Sequence, residues 1–170
     1  MTSLRVYLQE RTAEEFRKFA MERFGYSKGS ISTAAEAAIQ QWVSRERYVD
    51  QHISYIVETA KKDANVLSVF LFGSYVRKDI NYRDIDVSIL LKNDDVNSPE
   101  FLVKYEDEKG LFDVSMMNRL PLNIQMRVFK DGKSIYSKDK EAVYDYYFRC
   151  LDEWEDFRPV FKSILARRKI

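Results

Sequence analysis

The sequence predicts an α+β protein: a short β-α-α arm over residues 1–46, then a domain over 47–170 in which a sheet is flanked by helices. Three observations predict it. Residues 66–72, VLSVFLF, make an apolar run of strand length with no polar alternation, as suits the buried middle of a sheet. A second run opens at Asp84-Ile85-Asp86 and alternates, and a third follows at Phe112–Met117. Around these runs, apolar residues recur at helical spacing before residue 63 and after residue 139.

In chain order, residues 3–9 alternate, with Leu4, Val6 and Leu8 on one face and Arg5, Tyr7 and Gln9 on the other, which predicts a half-buried strand. Thr12-Ala13-Glu14-Glu15 has the form of a capping box. The helix it opens carries a stripe of Phe16, Phe19, Ala20 and Phe24, and Gly25 ends it. Ser30 or Ser32 caps a second helix with Ala35, Ala38, Ile39, Trp42 and Val43 on its apolar side. Tyr48, His52, Tyr55 or Ile56, Thr59 and Ala60 continue the spacing with no Gly or Pro between. The second helix is therefore expected to run on into the next domain as a stiff junction. Residues 92–110 are polar, and Asp94, Asp95, Glu106, Asp107 and Glu108 read as solvated surface. Arg127–Lys130, Asp131-Gly132 and Lys133–Tyr136 read as a hairpin around an Asp-Gly turn. A long helix follows from Asp139, with an aromatic stripe, a kink or break near Pro159 and a basic tail of Arg167, Arg168 and Lys169.

Composition narrows the classes. With 45% apolar and 14% aromatic residues, a sizeable core is expected and disorder is not. A net charge of +1 gives no global pull toward nucleic acid or membrane. Cys150 is the single cysteine, which excludes a disulfide framework or a thiolate metal site within one chain. No apolar run approaches a membrane span and no signal-like segment opens the chain, so a cytoplasmic protein is expected. His52 reads as structural or exposed, and Cys150, on an apolar stripe, as inert.

Chemistry concentrates in residues 66–91. On an extended strand Asp84 and Asp86 point to the same side, roughly 6–7 Å apart. At an effective dielectric near 20 their repulsion is about 2.5 kcal/mol, which a cation between them would relieve. Oxygen ligands of this kind suit Mg²⁺. Gly73 allows a sharp turn and close approach, while Ser74 offers a hydroxyl and an N–H where phosphate is attracted. Asp113, at the start of the third run, adds another carboxylate.

FGSYVR followed by DIDVSIL resembles the core of the polymerase-beta-type nucleotidyltransferases, in particular the minimal nucleotidyltransferases of bacteria and archaea. The resemblance covers about three quarters of the chain. It implies a mixed sheet flanked by helices, triphosphate binding by Gly73 and Ser74, and metal binding by Asp84, Asp86 and, as third carboxylate, Asp113. Two Mg²⁺ ions about 3.5–4 Å apart would clamp an attacking hydroxyl and the triphosphate of ATP or another NTP. Asp113 would then accept the hydroxyl proton. Arg77 is placed to contact phosphate or to pair with an aspartate. The chain departs from the family's pattern at Val76, often a small residue, at Lys78, often glycine, and at Arg83, often serine. The intervening loop also looks shorter, and Lys78 and Arg83 could supply positive charge to a phosphate. In the minimal family a frequent setting is an antitoxin that modifies a partner toxin.

The first 46 residues cannot bury a core alone, because one strand and two helices offer too little apolar cover. Pairing the strand with a second copy would cover it. This arrangement resembles the ribbon-helix-helix DNA-binding domains, which implies a homodimer joined through the N-terminal strand. Arg5, Tyr7 and Gln9 would then face base edges in operator DNA, with phosphates held around Gly29, Ser30 and Ser32. Eight Lys/Arg against six Asp/Glu in residues 1–47 also fit a plain dimerisation arm. Two functions follow: a nucleotidyltransferase modifying a protein or RNA hydroxyl, or a DNA-binding repressor whose transferase-like domain is catalytically weak. An autoregulating antitoxin would combine them.

Overall fold

The computed structural model describes residues 4–80 and 82–167, with side chains to residue 159. The chain divides into two compact units, Met1–Gln51 and His52–Ile170.

In the first unit, residues 4–9 take no regular secondary structure, since a strand needs a neighbour to bond to and the single chain supplies none there. Leu4, Val6 and Leu8 are exposed. Helix α1 (Glu10–Phe24) starts two residues before the expected Thr12 cap and has no side-chain cap, so the capping box is not what sets its start. Gly25 ends it as expected, at φ 86°, with its N–H donating to Met21 O at 2.9 Å. Helix α2 (Ser30–Lys62) runs unbroken from the first unit into the second. Ala20 and Ala34 are buried, whereas Phe19, Ile39 and Trp42 stay exposed. Much of the apolar stripes of this unit thus faces solvent in the single chain.

The second unit is built on a mixed four-stranded sheet in the order β3-β2-β1-β4. The strands are β1 (Val66–Phe72), β2 (Ile85–Leu91), β3 (Phe112–Met116) and β4 (Lys133–Ser137), with short helices α3 (Gly73–Val76) between β1 and β2 and α4 (Ser98–Leu102) between β2 and β3. β1 lies between β2 and β4, antiparallel to both, and β2 pairs parallel with β3. The largely apolar run of β1, broken only by Ser68, whose buried hydroxyl donates to Tyr136 O at 2.7 Å, is explained by this position, with both faces and both edges covered.

Phe72 opposes Asp86, and Asp86 opposes Asp113, so these residues share one face. Farther along that face Phe70 and Leu90 join Met117 and Val128 in a buried cluster, with Ile124, Phe129, Val143 and Tyr146 packed against it. Ile124 to Phe129 belong to α5 (Leu122–Asp131), and Val143 and Tyr146 to α6 (Lys140–Arg167).

Helix α5 corrects the hairpin reading of 127–136. Gln125 and Val128 recur at helical spacing on its buried side, and Asp131 is its last residue. Gly132 is extended (φ −80°) instead of turning, and a Cβ there would crowd the carbonyl oxygens of Val128 and Leu71. Only the strand half of the expected hairpin, β4, forms. The two helices are also tied by a buried amide. Gln125 Nε2 donates to Leu120 O at 2.7 Å, while Oε1 accepts from Tyr146 Oη at 2.9 Å and Cys150 Sγ at 3.1 Å. Burial raises the Cys150 thiol above its ordinary range, in keeping with an inert residue. α6 continues through Pro159 without ending there. The basic residues Arg168 and Lys169 lie outside the described residues, as does the side chain of Arg167.

Residues 52–62 of α2 are anchored through His52 and Tyr55. His52 Nε2 lies 3.0 Å from Tyr105 O with its ring 4.5 Å from Phe112, and Tyr55 Oη donates to Lys104 O at 3.1 Å. His52 is structural. Among the described residues, no helix is long and apolar enough to cross a membrane.

Candidate active site

The site lies where β1 ends. Its strand runs into the four-residue turn of helix α3 (Gly73–Val76), and the chain can enter that turn only through a left-handed residue, Gly73 at φ 76°. Glycine is required on a second count: a Cβ at this position would stand 2.7 Å from Asp86 Cγ and press on Oδ2. Gly73 thus lets the backbone lie directly against the carboxylate of Asp86. Ser74 follows on the same turn, half-buried.

Lys78 holds φ 62°, the one left-handed residue other than glycine among the described residues. The backbone conformation explains why a related sequence would place glycine there. A lysine adopts it at a cost of about 1 kcal/mol. Lys78→Gly is therefore expected to leave stability unchanged or raise it by up to about 1 kcal/mol, while Lys78→Val lowers it, as read by urea unfolding.

Across the sheet, Asp86 and Asp113 stand side by side on the parallel strands β2 and β3. The position of Asp113 depends on a residue read from the sequence as surface. Asp107 accepts backbone N–H groups from Lys109 (3.1 Å), Leu111 (3.1 Å) and Phe112 (2.8 Å), which fixes the entry into β3. An Asp three residues before Gly110 in a turn was the available signal. Asn118 acts similarly one turn beyond β3, donating to and accepting from the backbone of Leu91.

A cleft of about 420 Å³ opens over these residues. Gly73, Ser74, Arg77, Asp86, Asp113, Ser115 and, from the α5 side, Leu120, Ile124 and Arg127 line it. Asp84 does not line it; it sits exposed one residue before β2, at the rim. Burial raises the Asp86 carboxyl above its usual range, and the charges of Asp84 and Asp113 push it further, with Arg77 opposing weakly. A cation beside Asp86 would relieve both the cost of burial and the repulsion. Arg77 Nη2 bonds Asp79 Oδ2 at 3.0 Å, which is the aspartate pairing expected of it, and Arg77 also lines the cleft.

Among the described residues, no three acidic, histidine or cysteine side chains converge into a ready-made ligand cluster. The donor set nevertheless fits Mg²⁺, which binds through one or two carboxylates and takes its other oxygens from water and substrate phosphate. Asp86 and Asp113 could serve as that pair, with Asp84 within electrostatic reach.

The residues expected at DNA belong to the first unit. Arg5, Tyr7 and Gln9 are exposed, as are Gly29 (φ 107°) and Ser32 at the start of α2. Ser30 differs: it is buried, and its hydroxyl donates to Ser27 O at 3.0 Å and Phe24 O at 3.2 Å, so it holds the interhelical turn together.

Comparison with known proteins follows this geometry. Residues 54–141 match the family model described as Polymerase beta, Nucleotidyltransferase. A protein of Methanocaldococcus jannaschii named a protein adenylyltransferase is 26% identical, over 62% of this chain and 91% of its own. A chain of the crystal structure of the toxin-antitoxin MntA-HepT superposes with a TM-score of 0.56 at 13% identity, covering 71% of this chain and 99% of that one. A chain from tri-AMPylated Shewanella oneidensis HEPN toxin in complex with MNT antitoxin superposes with a TM-score of 0.52 at 14% identity, covering 76% and 99%. These likenesses are of fold, and the α+β architecture with its mixed four-stranded sheet is theirs too. With the family model spanning the strands, the glycine-serine turn and the paired aspartates, this chain belongs to the polymerase-beta nucleotidyltransferase family.

Proposed function

We propose that this protein is a Mg²⁺-dependent nucleotidyltransferase that moves a nucleotide from ATP or another NTP onto a protein hydroxyl, and that it serves as the antitoxin of a toxin-antitoxin pair in the cytoplasm. The observation that carries the reading is the placement of Asp86 beside Asp113 on parallel strands, facing a cleft whose wall is Gly73-Ser74. The relative named a protein adenylyltransferase and the toxin-antitoxin complexes among the structural relatives support the choice of a protein acceptor. A chain of a toxin-antitoxin structure with AMP-PNP, at a TM-score of 0.54 and 12% identity, supports an NTP as donor.

Bound Mg²⁺ would supply charge neutralisation for the triphosphate and a lowered hydroxyl pKa. The protein's own groups do the rest. Gly73 and Ser74 hold the outer phosphates. Asp113, exposed at the open side of the cleft, accepts the proton of the acceptor hydroxyl. The hydroxyl oxygen bonds to the α-phosphorus, the bond from that phosphorus to the bridging oxygen breaks, and pyrophosphate leaves with the electron pair. Incubating the protein with α-labelled ATP, Mg²⁺ and the toxin encoded beside it should label the toxin. A toxin left unlabelled under all four NTPs rules this reading out.

A second reading adds a role for the first unit and rests on its exposed residues 4–8, Leu4 and Val6 among them. Two copies pairing there would form a dimer with Arg5, Tyr7 and Gln9 on its outer side, fit for operator DNA. The extreme form is a repressor whose second unit has lost turnover. The full-length protein should shift its own promoter in a mobility assay, and Arg5→Ala should weaken that shift by about tenfold. Absence of any shift at low salt excludes DNA binding.

A further inference from the structure

We propose that Arg127 binds the outer phosphates of the nucleotide, gripping the triphosphate on entry and the pyrophosphate as it leaves. The inference rests on the nucleotide-transfer reading above and adds a residue to it. Arg127 lies three positions after Ile124 on α5, so both sit on the flank of the helix that lines the cleft, while Gln125 and Val128 point into the core. α5 packs against α3, so the wall carrying Arg127 faces the one carrying Gly73 and Ser74.

Two cations line the cleft, Arg77 and Arg127. Arg77 is already bonded to Asp79, at 3.0 Å. Arg127 is exposed and makes no side-chain hydrogen bond or ion pair among the described residues, leaving its planar set of five donors uncommitted. A triphosphate brings about four negative charges into a cleft that already contains two carboxylates, and a guanidinium fork is the side chain suited to two phosphate oxygens at once. Packing does not require a cation here, since Arg127 is exposed.

The test uses the full chain in Mg²⁺ buffer and measures binding of ATP and of pyrophosphate by calorimetry. Arg127→Ala should weaken both by at least about tenfold, Arg127→Lys should recover part of each, and the melting temperature should not move, because the residue is exposed. Equal affinity of Arg127→Ala and wild type for both probes overturns the assignment. So does a loss confined to ATP, which would place Arg127 on the base or ribose. Wild type that binds neither probe defeats the nucleotide-transfer reading itself, a result distinct from either of these.

Discussion

Gly73→Ala is expected to abolish nucleotide transfer, by on the order of 100-fold or more, and to lower stability by about 2 kcal/mol. Two independent effects combine. The left-handed backbone at φ 76° is strained for any residue with a Cβ, and that Cβ would stand 2.7 Å from Asp86 Cγ. Because the backbone of β2 is fixed in the sheet, relief comes either from the turn, which moves Ser74, or from the Asp86 carboxylate swinging away. Either shift separates the Gly73-Ser74 wall from the carboxylates. Urea unfolding and the labelled-ATP assay measure the two effects separately. An alanine variant with wild-type transfer would show that the close approach of backbone to carboxylate is dispensable.

Asp86→Asn should reduce transfer by on the order of 100- to 1,000-fold while leaving the fold intact. The same substitution should make the protein no less stable in the presence of a chelator. Burial and the neighbouring charges of Asp84 and Asp113 all disfavour the ionised form of Asp86 in the fold, and the amide removes that cost. Added Mg²⁺ should raise the melting temperature of wild type and have little effect on Asp86→Asn. A variant that loses stability to the same degree with and without Mg²⁺ would mark Asp86 as a structural residue.

The sheet was legible where single residues dictate it. The largely apolar run of β1 matches its interior place and the glycine after it matches a left-handed turn, whereas alternation alone spoke only for Asp84 and Asp86; the register of β2 against β3 is what sets Asp113 beside Asp86, and Asp84 stays outside the cleft. Asp113 needed the resemblance to give it a role, since one carboxylate in a short strand is common. The reading failed where a local signal competed with a tertiary one. Asp131-Gly132 has hairpin chemistry, yet the buried side of α5 decides the structure and the glycine serves clearance. Asp107 looked like one charge in a charged loop because its three N–H partners lie two to five residues downstream. Arg127 fell inside the misread hairpin, so its place on the cleft wall could not be seen. The exposed apolar residues of the first unit follow from a segment too short to enclose them.

β2 is bonded along both edges, to β1 on one side and β3 on the other. Its amides around Val87 and Ile89 should therefore be among the slowest in the chain to exchange with heavy water, opening only when the whole second unit comes apart. The nucleotide cannot draw Asp86 into line by bending this strand. Whatever adjustment accompanies binding has to come from the rim, through Asp84, Arg77 and the arginine of α5.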